Sequence, residues 1–360
     1  MMVNLARGFA GHGADVAFVV SAPDLPYLDL LGPHVRIAHP SSPSRQRLPA
    51  FTRDLLTKER PDVVLSGKSE DDLIVLDARD AVACAARIFL RIGTHMSQTP
   101  SFRSANPLRR LLARRSLARL CSRADGLICV SEGVAEDMRR LSPATAARTH
   151  TIRNPVVTPE LLASARCEAT QSHRTEGEAL VVAVGRLARV KRLDTLIRAF
   201  ALAVRLRPMK LVLAGEGREK ADLSALARTL GIADRVVFTG FLANPYPLIA
   251  SADLLVLSSE REGSPNVLVE AMALGTPVVS TDCPSGPSEI LGAGRHGSLV
   301  PVDAPTALAD AMLATLQSPP SAESLIDAVR AYRMTESSAA YLDCFGLPAA
   351  PAGKIMDGAN

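Results

Sequence analysis

The sequence contains no tryptophan, and aromatic residues make up only 4% of its 360 residues. Proteins that bind single-stranded nucleic acid use aromatic side chains on which bases stack, and membrane-spanning proteins place aromatic belts at the bilayer surface. This chain has too few aromatic side chains for either role. We therefore expect no nucleic-acid partner and no membrane-spanning architecture. The net charge of +4 is compatible with anionic ligands.

Signals for export and for metal or nucleophile chemistry are also absent. No apolar run reaches the ~18 residues of a bilayer-spanning helix, and the first residues lack the pattern of a signal peptide. The six cysteines lack C-x-x-C spacing, which indicates free thiols in a reducing compartment. The histidines show no metal-ligand spacing, and there is no D-x-D pair, nucleophile elbow or P-loop. We therefore expect a cytoplasmic protein, soluble or peripheral at the inner face of the membrane, with no metal and no cofactor.

What the sequence does contain is an alternation of strand and helix patterns along two halves. This alternation predicts an α/β fold of parallel sheets flanked by helices, with two or three domains at this length. The predicted organisation is a domain at residues 1–157, a linker at 158–178, a domain at 179–327, a helix at 328–345 that could pack back on the first domain, and a disordered tail at 346–360.

Two segments of the first half carry candidate functional residues. His95 follows a predicted strand at residues 85–92, at the sheet edge where ligands bind in parallel α/β folds. A predicted helix at residues 107–123 carries six arginines. They could form a solvated face, or they could contact anionic lipid or a lipid-linked diphosphate. The arginines do not fall on one stripe, which weakens the membrane interpretation.

In the second half, the predicted strand at 179–184 is followed by Arg186 and Lys191. Arginine offers a bidentate fork and lysine a mobile point charge, a combination suited to a diphosphate. Gly215 opens a Gly-Glu-Gly turn after the next strand, but Lys220 replaces the third glycine of a dinucleotide fingerprint. We therefore expect only a tight turn that borders a nucleotide.

The most informative stretch covers residues 257–282, where Glu262 and Glu270 lie eight positions apart. Between them is a loop of small residues: Gly263, Ser264, Pro265 and Asn266. Backbone N–H groups at a helix start bind anions, so the loop predicts a phosphate site. The two glutamates remain open to three interpretations: an acid and base pair, recognition of a vicinal diol, or solvated acids favoured by the helix dipole.

These residues carry a resemblance to the family 4 glycosyltransferases, retaining enzymes with the GT-B fold. The segments that resemble the family are VGRLARVKRLDTLIRAF (184–200), LVLAGEG (211–217), VVFTGF (236–241) and EGSPNVLVEAMALGTPVVSTDCPSGPSEIL (262–291), with weaker agreement in RPDVVLS and ADGLICVSEGVAEDM of the first half. The resemblance implies two Rossmann-like domains, each with a doubly wound parallel sheet, facing each other across a cleft.

The resemblance also implies roles for the candidate residues. Arg186 and Lys191 would hold the diphosphate of a sugar nucleotide and support its departure, and the loop from Gly263 to Asn266 would bind the distal phosphate. Glu262 would contact the hydroxyls of the donor sugar, Glu270 would accept hydrogen bonds from the ribose diol, Gly215 would border the nucleotide, and His95 would approach the transferred sugar from the other domain.

The implied reaction is transfer of a sugar, with retention, from a nucleotide-diphosphate sugar to a glycan or lipid-linked acceptor. The pattern is most similar to transferases that build lipopolysaccharide and other surface glycans, commonly from UDP-sugars. Stabilisation of the leaving phosphate would do most of the catalysis without a metal. Two alternatives remain open: a nucleotide-sugar-binding GT-B protein with impaired catalysis, and a sugar-nucleotide epimerase on the same fold.

The resemblance departs from the family at the front of the chain. Family members usually begin with a strand and a glycine-rich loop before the helix that corresponds to residues 3–11, and here Met1 already lies in that helix pattern. The corresponding strand would be central in the first sheet. We therefore expect its two neighbours to have unpaired edges.

Overall fold

The computed structural model describes residues 1–23, 25, 27–41, 44–164 and 176–349. Within these ranges the chain forms two compact units. The first unit contains Met1–Pro155 and the segment that begins at Arg333, and the second contains Val156–Tyr332. None of the described helices combines the length and the hydropathy that a bilayer crossing requires.

The first unit contains six parallel strands in two separate sheets. They are β1 (Val16–Val19), β2 (Val35–Ala38), β3 (Val63–Ser66), β4 (Arg87–Ile92), β5 (Gly126–Cys129) and β6 (Thr149–Thr151). β1 pairs with β2, and the other four strands are ordered β3-β4-β5-β6. Within the described residues, β1 and β3 therefore each keep one edge without a strand partner. Backbone pairing among the described residues does not join the two sheets.

The second unit contains one parallel sheet of six strands. They are β7 (Ala179–Val184), β8 (Met209–Ala214), β9 (Val236–Gly240), β10 (Leu254–Leu257), β11 (Val278–Thr281) and β12 (Ser298–Val300), in the order β12-β11-β10-β7-β8-β9. The chain starts in the middle of the sheet at β7, moves outward to β9, and then returns to the other side of β7. The strand order therefore reverses between β7 and β10, the place where doubly wound sheets bind ligands.

Helices connect these strands in both units. They are α1 (Met2–Gly11), α2 (Leu48–Glu59), α3 (Asp72–Ala81), α4 (Pro107–Arg123), α5 (Glu132–Leu141), α6 (Pro159–Ser164), α7 (Leu193–Ala203), α8 (Lys220–Thr229), α9 (Tyr246–Ser251), α10 (Asn266–Ala273), α11 (Pro287–Ile290), α12 (Pro305–Gln317), α13 (Ala322–Ala328) and α14 (Met334–Cys344). In the second unit, every residue of β10 and β11 is buried, as expected for parallel strands whose sheet is covered by helices on both faces.

Helix α1 contacts both parts of the first unit. Ala6 packs with Leu31 beside the β1-β2 sheet, and Leu5 packs with Phe89 of β4 and with Tyr341 of α14. The two sheets are thus held together by side-chain packing on one helix rather than by backbone pairing.

Three sequence-based boundaries are wrong. The predicted linker at 158–178 begins with α6, in which Leu161 is buried, so its first residues are packed structure; residues 165–175 lie outside the described ranges. The predicted helix at 328–345 starts only at Met334. The predicted tail at 346–360 starts with a helix cap, because the Leu347 N–H donates to Leu342 O with Gly346 at φ +61°; residues 350–360 lie outside the described ranges.

Candidate active site

The loop after β7 carries the two predicted phosphate-binding cations. Arg186 is exposed, and Lys191 ends a single 3-10 turn with its side chain 23% exposed. Both residues follow the carboxyl end of the strand at which the sheet order reverses. Parallel strands present their carboxyl ends at one edge, so the β7 and β10 loops meet there.

Glycines hold the neighbouring loop after β8 in place. A Cβ on Gly215 would lie 1.9 Å from the carbonyl oxygen of Gly185, and a Cβ on Gly217 would lie 2.0 Å from that of Leu187. The Leu187 N–H also donates to the Glu216 carbonyl at 2.8 Å. The predicted turn is therefore present, and its glycines let two backbone segments pack in direct contact.

Glu262 and Lys191 form the centre of the site. Lys191 Nζ lies 2.6 Å from Glu262 Oε1, and the Ser259 hydroxyl donates to the same oxygen at 2.7 Å. The Ser258 hydroxyl donates to the Lys191 carbonyl at 2.8 Å, which ties the β7 and β10 loops together. The structure thus brings the catalytic candidates of two distant segments into one charged network.

The predicted phosphate-binding loop leads directly into α10. Helix α10 starts at Asn266, and Pro265 at its cap position provides no side-chain hydrogen bond. The loop is supported from behind, because the Ser285 hydroxyl donates to the Glu262 carbonyl at 2.7 Å and a Cβ on Gly286 would lie 2.5 Å from Pro265 Cδ. A helix start that lacks a side-chain cap keeps backbone donors for an anion.

Two polar side chains of this region lack partners within the described residues. The Ser264 hydroxyl is buried without a hydrogen-bond partner. Glu270, one turn into α10, is half-buried, and its burial raises the pKa of its carboxyl to about 7. A partly buried carboxylate without a protein donor is suited to accept hydrogen bonds from ligand hydroxyls.

His95 belongs to the first unit and is held by residues that the sequence did not single out. It is 8% exposed, and its Nδ1 lies 3.2 Å from Asp137 Oδ2 and 3.1 Å from Ser97 Oγ. The Ser97 N–H donates to the same Asp137 oxygen at 2.9 Å. With Nδ1 engaged by a carboxylate, Nε2 is the ring nitrogen available for a ligand. Asp137 is therefore a positioning residue for His95.

Comparison with known proteins bears on both units. The model of glycosyltransferase family 4 matches residues 1–159, and the model of glycosyl transferases group 1 matches residues 166–332. The chain belongs to the family 4 glycosyltransferases.

Two curated relatives of this chain are glycosyltransferases by name. The chain is 30% identical over 239 residues to an N-acetylgalactosaminyltransferase of Campylobacter jejuni whose acceptor is a diphospho-undecaprenol-linked sugar, with 65% of this chain and 63% of the relative aligned. It is 28% identical over 256 residues to the lipopolysaccharide core glycosyltransferase LpsE of Rhizobium meliloti, with 71% of this chain and 65% of the relative aligned. The chain thus spans slightly less than two thirds of these relatives.

Solved structures show the same fold over nearly the whole chain. Anabaena HepE in complex with UDP superposes with a TM-score of 0.74 at 20% identity, with 96% of both chains aligned. A glycosyltransferase of Rickettsia africae superposes with a TM-score of 0.75 at 14% identity, over 95% of this chain and 92% of that one. At these identities the likeness establishes the GT-B fold of two Rossmann-like domains.

Proposed function

We propose that this chain is a retaining glycosyltransferase that moves a sugar from a nucleotide-diphosphate sugar, a UDP-sugar, to a glycan or lipid-linked acceptor. The observation that carries the proposal is the Lys191–Glu262 network at the reversal point of the second sheet, next to the uncapped start of α10. Family membership supports glycosyl transfer as the reaction, and the charged groups of the site support a diphosphate as part of the donor.

Binding of the diphosphate would use charges and backbone dipoles. Arg186 and Lys191 would hold the phosphate oxygens, and the loop from Gly263 to Asn266 would receive the distal phosphate through its backbone N–H groups, of which Pro265 has none. As the bond to the sugar breaks, negative charge grows on that phosphate, and cations already in place stabilise it. We propose that these two cations make a metal ion unnecessary.

Recognition of the two sugars would use the remaining candidates. Glu262 would exchange part of its hydrogen bonding with Lys191 for hydroxyls of the donor sugar, and Glu270 would accept from the ribose diol. Gly215 would leave room for the nucleotide beside the β8 loop. His95 would contact the transferred sugar through Nε2, with Asp137 fixing its ring.

The names of relatives support the choice of donor and acceptor. HepE was solved with UDP and with UDP-glucose, and the Campylobacter enzyme acts on a lipid-linked diphosphate. By analogy, we propose a cytoplasmic protein that works at the inner face of a membrane on a glycan or lipid-linked acceptor.

A panel of donors tests this proposal. We expect calorimetry to show binding of UDP in preference to GDP and ADP, and nucleotide release from one UDP-sugar. Loss of the Lys191 charge in Lys191→Met should weaken binding of UDP, whereas Lys58→Met, at an exposed position of the first unit, should not. Absence of binding to all three nucleotides would contradict the proposal.

A second function is favoured by one observation, the interrupted sheet of the first unit. In this alternative, the chain binds a nucleotide sugar but turns it over poorly. Tight UDP binding without nucleotide release from any donor would support it. Release of free nucleotide together with an epimerised sugar would instead indicate an epimerase.

A further inference from the structure

Helix α4 contacts the rest of the first unit along only part of its length. Leu117 and Cys121 are its buried residues, and both lie in its second half, in the core beside the β3–β6 sheet. Residues 107–112 are all exposed. The first half of α4 therefore forms a surface with little protein packed against it.

Three leucines lie on this exposed half. Leu108, Leu111 and Leu112 are 60%, 44% and 54% exposed. Their i, i+3, i+4 spacing puts them on one side of the helix, and Leu117 falls on the opposite side. A helix normally turns such a leucine set toward the core, so its exposure marks an interaction surface.

Arginines surround these leucines along the helix. Five of them are exposed: Arg109, Arg110, Arg114, Arg115 and Arg119. Arg115 and Arg119 lie on the leucine side, seven and eleven positions after Leu108. None of the five has an ion-pair partner among the described residues, whereas Arg123 at the end of α4 pairs with Asp77 and Asp80. The sequence contains no acidic residue at positions 81–124.

A groove runs beside this surface. It has a volume of about 470 Å³ and lies between residues 100–104 and α4. Arg109 and Leu112 line it together with the serines at 101, 104 and 116. It thus offers a cation and hydroxyl donors next to an apolar side chain, the chemistry that binds a phosphorylated headgroup.

We propose that Leu108, Leu111, Leu112, Arg115 and Arg119, which we call the α4 surface, dock this protein on a bilayer that contains anionic phospholipids. The leucines bury at the boundary of headgroups and acyl chains, and the arginines bind lipid phosphates. Charge complementarity selects an anionic partner, and the leucines select a bilayer over nucleic acid, whose backbone offers them no apolar contact. This inference does not rest on the sugar-nucleotide site, which belongs to the other unit.

Flotation of the full chain with phospholipid vesicles tests the proposal. We expect binding to phosphatidylcholine vesicles that contain phosphatidylglycerol, and much weaker binding to phosphatidylcholine alone. Arg115→Gln combined with Arg119→Gln should weaken binding about 25-fold, since each arginine near an anionic surface contributes roughly fivefold. Leu108→Gln combined with Leu112→Gln should weaken it about tenfold, and this loss should persist at high salt.

Arg205→Gln combined with Leu206→Gln is the matched control. Both residues are exposed on the second unit, and Leu206 is 78% exposed. This variant should bind vesicles as the unaltered protein does. All variants should keep the thermal midpoint and UDP binding, because the changed side chains are exposed and outside the nucleotide site.

Three results would overturn the proposal. One is equal vesicle binding by the α4 and control variants, and another is no binding of the unaltered protein to anionic vesicles. The third is binding to a duplex oligonucleotide that depends on the arginines but not on the leucines, without vesicle binding, which would identify a nucleic-acid surface instead.

Discussion

Among the described residues, each unit has six parallel strands, but only in the second unit do they form one sheet. There, β10 and β11 are buried at every residue, and five of the six residues of β7 are buried. In the first unit, β1 alternates between half-buried and exposed residues, and β3 has one buried residue out of four. Backbone pairing on both sides thus accompanies full burial, and an unpaired edge accompanies partial exposure.

This difference in strand pairing indicates which parts of the molecule are held more rigidly. Lys191 and Glu262 follow β7 and β10, and each of these strands is paired on both sides. The phosphate-binding candidates therefore lie on the continuous sheet. In the first unit, by contrast, β1 and β3 lie in two separate sheets, and each pairs on one side only. A site that must stabilise growing charge needs fixed groups, so we expect functional and structural perturbations to be most severe in the second unit.

Loss of Lys191 should produce the largest effect. If the Lys191 ammonium stabilises the leaving phosphate, Lys191→Met should lower turnover about 10²–10³-fold, as removal of one stabilising group does in comparable sites. It also leaves the Glu262 carboxylate, now 13% exposed, without its cation. Initial rates of nucleotide release at saturating donor would measure the loss. Equal rates in Lys191→Met and Lys58→Met would refute a catalytic role for Lys191.

The next largest effect should come from adding a side-chain atom at Gly217, where two loops are in contact. In Gly217→Ala, the new Cβ would lie 2.0 Å from the Leu187 carbonyl oxygen, so the β7 or β8 loop must move. We expect a destabilisation of about 3 kcal/mol, measured by thermal unfolding. Gly11→Ala in α1 is the control, because its Cβ would meet no atom within 4 Å and alanine favours a helix. Similar losses in both variants would show that packing at Gly217 is not tight.

Matched core truncations test the comparison of sheets itself. Val181 of β7 is fully buried, whereas Val64 of β3 is half-buried. Val181→Ala should cost about 2 kcal/mol and Val64→Ala about 1 kcal/mol, because less apolar surface leaves water at β3. Hydrogen exchange of peptides from each unit would resolve the two effects. A larger loss at Val64 would mean that β3 is more strongly supported than its open edge indicates.

The sequence predicted local structure better than contacts between distant segments. The bounds of α4 agree with the predicted helix at 107–123, which has a proline near its start. Helices α6 and α13 were missed, since six or seven residues give too short a periodic pattern. The predicted phosphate-binding loop and the two cations lie directly after the strands that were expected to precede them. Such positions can be predicted because the end of a strand is marked by residues adjacent in the sequence.

Contacts between residues that are distant in the chain could not be predicted from a single sequence. The Lys191–Glu262 pair joins positions 71 apart, and Asp137 reaches the His95 ring from α5, with α4 and β5 between them in the chain. Both depend on which strands become neighbours. The exposure of the α4 leucines could not be predicted either. Their spacing shows that they share one side of the helix, but not whether that side packs against the core.

The smallest predicted effect is a pH dependence that distinguishes two carboxyls, one in each unit. Burial raises the pKa of Glu270 to about 7, and burial also raises the pKa of Asp72 to about 6 despite the hydrogen bond from the Ser66 hydroxyl. A raised carboxyl pKa means that the folded state holds the proton longer. Each group's contribution to stability is therefore fully present below its unfolded pKa and is lost as pH rises through its folded pKa.

Binding of a sugar nucleotide should have the opposite sign, because only ionised Glu270 accepts two hydrogen bonds from a diol. Both phosphates of a UDP-sugar stay singly ionised in this range, so affinity should fall about tenfold between pH 8 and pH 6 as Glu270 takes up a proton. Calorimetry with a UDP-sugar should show this slope in Asp72→Asn, which changes the carboxyl of the first unit, and not in Glu270→Gln. A slope that survives in Glu270→Gln would remove Glu270 as the ribose acceptor, and the proposed donor site would then need another group for the diol.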